Sequence, residues 1–283
     1  MDSIPVAFVE DLLSRIGSLK KLLYHERLSG SFGLCATKIE LDRYDRYLYI
    51  KNGSFDHVSE RTYTSQSSGP ENFRSCTKYR TVTNVVYGVS KNSMPEIDPK
   101  LPGMIEQYSK EPGMFGLFLS TSILDDKWVQ LFSSWKSLNL VSVREDVTEP
   151  VFELLEKLLH QEQLVGLILA KNENGTRKID LLCSFLKQKQ FLSLMLFSEN
   201  EAVKERILAE ADKEDFAGSS ICWTHYTPIH DESFESLGRG SEIAMQFTKE
   251  NMLVTYFNLA AGPKVSDGAF ILSACQTELY FVN

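Results

Sequence analysis

The sequence predicts an α/β protein built as a stack of parallel strands with helices on the outside. An apolar-x-x-Leu-x-Leu unit recurs between residues 114 and 197. Its copies start at Met114 (with Leu117 and Leu119), Trp135 (Leu138, Leu140), Leu164 (Leu167, Leu169) and Phe191 (Leu194, Leu196). The starts step by 21, 29 and 27 residues, the length of one strand plus one helix. Each copy is followed by polar residues and then by apolar residues at helical spacing. One such unit cannot bury its strand leucines alone. Only stacking on a neighbour removes them from water, so adjacent parallel strands are expected.

The 114–197 pattern is leucine-rich-repeat-like, and each predicted helix has an apolar face and a start signal. Trp128, Leu131, Phe132 and Trp135 form one face; Val151, Leu154, Leu155 and Leu158 the next; then Ile179, Leu182, Cys183 and Leu186; then Val203 and Ile207. Ser122 with Asp125, Thr148 before Pro150, Thr176 after Asn174-Gly175, and Ser198 with Glu201 supply the caps.

Upstream, Phe8, Val9, Leu12, Leu13 and Ile16 follow Ile4-Pro5 at helical spacing, with Pro5 suited to a first turn and Gly17 to a stop. Further short helices are expected over 19–23 and 31–39. The start Met1-Asp2-Ser3-Ile4-Pro5 with Phe8, and then Gly33-Leu34-Cys35-Ala36, resembles the large nematode families of F-box and F-box-associated proteins. The resemblance covers about the first 40 residues and implies a small helical module that docks on the Skp-type adaptor of a cullin–RING ubiquitin ligase. By the same resemblance, Pro5, Leu12, Leu13 and Ile16 face the adaptor, and the rest of the chain binds an unknown protein substrate. An F-box usually ends in a cysteine-then-tryptophan segment, whereas the first tryptophan here is Trp128.

Residues 40–90 have a different character. Segments 47–50 and 55–58 flank Lys51-Asn52-Gly53-Ser54, a hairpin signal with the turn residues that φ > 0 requires. Tyr79, Thr81, Thr83, Val85, Tyr87 and Val89 alternate with their neighbours as one longer strand, so an antiparallel patch is expected. Residues 91–113, with four prolines and two glycines, read as a linker. Beyond Phe216 the pattern loosens, with strands expected over 221–224, 243–248 and 252–258 and a final apolar segment over 270–282. The resulting division is 1–39 F-box-like, 40–110 β-rich segment and linker, and 111–283 repeat-like α/β.

The composition bounds the function. With 283 residues, 43% of them hydrophobic and 24% charged, the chain can bury a substantial core. Its 30 Lys+Arg against 38 Asp+Glu give a net charge of −8, the wrong sign for displacing counterions from nucleic acid. Five scattered cysteines without a CxxC fit a reducing, intracellular setting, cytoplasmic or nuclear. The start lacks a basic region, so no secretory signal is expected, and no apolar run is long enough for a membrane span. Asn52-Gly53-Ser54 and Asn174-Gly175-Thr176 match a glycosylation acceptor and read better as turns.

No catalytic apparatus and no cofactor are expected. The strand exits Ser120-Thr121-Ser122, Arg144-Glu145-Asp146, Lys171-Asn172-Glu173 and Ser198-Glu199-Asn200 lack the glycines of a phosphate-binding turn, and three of them carry acidic residues. Gly238-Arg239-Gly240 reads as a turn, and Gly30-Ser31-Phe32-Gly33 lacks the spacing of a nucleophile elbow. The densest ionisable cluster runs over 222–231. There Cys222 with His225 could serve a hydrolase, or His225, His230 and Asp231 a metal. Three readings stay open: an F-box-type substrate adaptor, a Cys222/His225/His230 hydrolase or metalloprotein, and a structural paralogue whose F-box binds nothing.

Overall fold

The structure is a computed structural model that describes residues 30, 33–35, 44–62, 80–89, 95–111, 113–170, 176–197, 201–211, 216, 218–223, 230, 232–241, 244–257 and 276–281. The chain is a mixed α/β protein whose strands are mostly parallel where helices connect them. It divides into two compact units, Met1–Leu140 and Val141–Asn283.

In the first unit β1 (Tyr44–Lys51) and β2 (Ser54–Thr62) form the expected antiparallel hairpin. Asn52 and Gly53 turn it with φ of 51° and 87°, the left-handed pair that a two-residue hairpin loop needs. The next strand, β3 (Arg80–Gly88), is not part of an antiparallel patch. It pairs in parallel with β1 on one side and with β4 (Met114–Leu119) on the other. Alternating Tyr, Thr and Val specify a half-buried strand but not the sense of its pairing.

The run expected as a linker contains α1 (Leu101–Ser109), which buries Leu101 and Ile105. Its proline stands in the first turn, where the missing N–H costs nothing. Helix α2 (Asp126–Ser133) starts at Asp125, whose carboxylate accepts the Trp128 N–H at 3.0 Å. The cap is therefore Asp125 and not Ser122. Across this unit, Leu48, Val85 and Leu117 align in neighbouring strands, as do Ile50, Tyr87 and Leu119, and all six are buried. Tyr87 meets Trp128 at 4.6 Å and Phe132 at 5.4 Å between ring centroids. Phe132 in turn meets Trp135, and Trp135 meets Phe115. An aromatic chain thus ties α2 to the strands beneath it.

Strand β5 (Leu138–Val143) carries the division between the units. Leu138, Val141 and Val143 are buried, while Asn139 and Leu140 are half-buried, so Val141 takes the core place expected for Leu140. The Asn139 side chain accepts the Phe115 N–H at 3.0 Å.

In the second unit, helices α3 (Glu149–His160), α4 (Thr176–Leu186) and α5 (Glu201–Ala211) alternate with parallel strands β6 (Gly166–Leu169), β7 (Ser193–Leu196) and β8 (Ser220–Trp223). Thr148 occupies the N-cap of α3, and Thr176 is the first residue of α4 rather than a cap outside it. The Ser198 cap lies outside the described residues. After β8 the pattern changes to an antiparallel meander. Strands β9 (Glu235–Ser241), β10 (Ala244–Lys249), β11 (Met252–Phe257) and β12 (Gln276–Phe281) give the order β6-β7-β8-β12-β11-β10-β9. Gly238-Arg239-Gly240 is therefore not a turn but part of β9. There two register shifts and a Gly238 φ of 75° mark bulges in the outermost strand, a device that blunts an exposed edge.

One buried row crosses the second unit. Leu167 faces Leu194, Leu194 faces Ile221, Ile221 faces Leu279, and Leu279 faces Val254, all fully buried. Each such side chain contributes about 1.5–3 kcal/mol relative to exposure. Leu167, Leu194 and Ile221 stand 27 residues apart, so Ile221 and Trp223 repeat the Leu-x-Leu positions once more.

Candidate functional site

The carboxyl ends of the parallel strands are the first place to look in an α/β protein, because ligands bind in the crevice where strand order reverses. In the first unit the order β2-β1-β3-β4 contains no such reversal between parallel strands, and in the second β6, β7 and β8 lie in sequence order. The strand ends of the first unit are also closed over. The Ser120 hydroxyl donates to the Tyr87 carbonyl at 2.8 Å, and the Ser120 N–H donates to the same oxygen. The Asp98 N–H donates to the Gly53 carbonyl, and the Trp128 indole N–H donates to the Pro95 carbonyl at 3.1 Å. The Ser120 and Asp98 N–H groups are thus spent on internal bonds.

Of the cluster over 222–231, Cys222, Trp223 and His230 are described, and Asp231 lies outside the described residues. Cys222 is buried and aligned with Met195 on one side and Glu278 on the other. His230 instead reaches Tyr256, with its backbone N–H donating to the phenol oxygen at 3.2 Å and its Nδ1 lying 2.7 Å from that oxygen. The His230 ring also stacks on Phe247 at 4.0 Å. Tyr256 aligns with Thr277 and Thr277 with Trp223, the residue after Cys222. Successive strand residues point to opposite faces, so Cys222 and Tyr256 lie on opposite faces and His230 goes with Tyr256. His225 lies outside the described residues. Among the described residues no three His, Cys, Asp or Glu side chains gather as a metal site, and none of the described helices is long and apolar enough to cross a membrane.

Burial sets the chemistry of another thiol. Cys183 on α4 is pushed up to about 11, chiefly by desolvation and next by the charge of Glu210. It stays protonated at neutral pH and serves as a small apolar residue.

The largest charged cluster that sequence reasoning missed joins β1, β2 and β3 to the segment after α1. Arg46 donates from Nε and Nη2 to Glu60 at 3.1 and 3.0 Å, and from Nη1 to Glu111 at 2.7 Å. Arg80 pairs with the same Glu111 oxygen. The arginine side chains are 11% and 7% exposed against 36% for Glu111, so the carboxylate is the outermost member. Burial and the neighbouring Arg46 lower the Arg80 pKa. Opposite charges answer one another here, which makes the cluster a tie between elements rather than a vacant ligand site. Arg46 and Glu60 are cross-strand partners on the Asn52-Gly53 hairpin, a pairing that the hairpin register could have revealed; Glu111 had no such signal.

What remains is the outward face of the strands. In the second unit Ile168 and Met195 align and are half-buried. In the first unit Tyr49, Val86 and Phe118 align and are half-buried, with His57 stacked on Tyr49 at 4.3 Å. The proposed adaptor-facing residues Pro5, Leu12, Leu13 and Ile16 lie outside the described residues.

Comparison with protein-family models and with curated proteins finds no match for this chain.

Proposed function

We propose that this protein is an intracellular protein-interaction module, an F-box-type substrate-recognition adaptor for a cullin–RING ubiquitin ligase. Its N-terminal segment docks the Skp-type adaptor through Pro5, Leu12, Leu13 and Ile16, and its strand–helix region presents a docking face to an unknown protein substrate. The observation that carries the interaction half is the alignment of Leu167, Leu194 and Ile221 in one buried row. Parallel strands aligned in this way turn one residue of each strand to one face and the next to the other, as the proposed leucine-rich-repeat-like stack requires. Its outward neighbours Ile168 and Met195 are apolar and only half-buried, a composition suited to protein contact rather than to chemistry.

The ligase half rests on the resemblance carried by Met1-Asp2-Ser3-Ile4-Pro5 with Phe8 and by Gly33-Leu34-Cys35-Ala36. The test is co-purification of the full chain with a Skp-type adaptor. The intact chain captures the adaptor, and Leu12→Asp with Ile16→Asp abolishes capture. An intact chain that captures no adaptor removes the ligase role. The alternative reading, a hydrolase or metalloprotein centred on Cys222, His225 and His230, depends on His225 and Asp231, which lie outside the described residues.

A further inference from the structure

We draw no further inference here: the strongest candidate, the outward row of Tyr49, Val86 and Phe118 with His57 stacked at its end on the sheet of the first unit, is a half-buried strand face for which nothing in the structure shows what covers it.

Discussion

Leu167 of β6 and Leu194 of β7 stand directly opposite each other in a parallel pair, and both are fully buried. Leu194 also faces Ile221 on its other side, so it is the middle of the row. Truncation there opens a cavity against two neighbours at once. Leu194→Ala is expected to lower stability by about 2–5 kcal/mol. Met195→Ala, one residue along and half-buried, should cost distinctly less. Urea unfolding of the full chain gives both numbers. Equal losses at the two positions would mean that the inward and outward faces are wrongly assigned.

Glu111 pairs with two little-exposed arginines, Arg46 and Arg80. Glu111→Gln keeps the shape but removes the charge, and about 1–3 kcal/mol of stability should go with it. The deficit should shrink at high salt because Glu111 is partly exposed. Combining it with Arg80→Met should cost less than the two single losses added together, since they share one contact. Additive losses would show that the pair is not coupled.

The Cys183 thiol gives a pH signature. Its folded pKa of about 11 lies above the ordinary 9.0. Below about pH 9 both folded and unfolded chains keep the proton, and the thiol adds no pH dependence. Between about pH 9 and 11 the unfolded chain loses its proton first, so stability falls as pH rises. Unfolding free energies measured across that window should fall more steeply in the wild type than in Cys183→Ala. Identical slopes would place the thiol in water.

Gly53 turns the β1–β2 hairpin at φ 87°, and a Cβ there would collide with the Glu96 carbonyl. Gly53→Ala should therefore cost more than about 1 kcal/mol, combining backbone strain with displacement of 95–98. The second effect is visible separately. Trp128 donates to Pro95, so its fluorescence should change in Gly53→Ala even below the unfolding transition. An unchanged spectrum with unchanged stability would contradict the packing of 95–98 on the turn.

Much of the fold is legible because buried leucines must repeat at the period of the unit that carries them. Leu117, Leu119, Leu138, Leu167, Leu169, Leu194 and Leu196 all come out buried on strands. What escaped has specific physical causes. Leu140 lost its core place to Val141, because both are apolar and composition does not say which of two adjacent apolar residues turns inward. The parallel pairing of β3 and the antiparallel return of β9 to β12 are invisible to a pattern that reports burial but not strand direction. Pro102 in the first turn, with Pro95, Pro99 and Pro112 outside the helix, disguised α1 as a linker. At the candidate site, the distance between Cys222 and His230 in sequence concealed the sheet between their side chains. The outward row of Tyr49, Val86 and Phe118 did have a signal. Apolar residues on both faces of a strand are what parallel sheets show, and Phe118 sits between two core leucines.

The docking proposal is tested most directly by calorimetric titration of the full chain with a purified Skp-type adaptor, alongside Leu12→Asp/Ile16→Asp and Met195→Glu. A saturable complex is expected for the wild type and for Met195→Glu, whose substitution lies on the strands proposed to face the substrate, and none for Leu12→Asp/Ile16→Asp. No binding by the wild type, or undiminished binding by Leu12→Asp/Ile16→Asp, would contradict it.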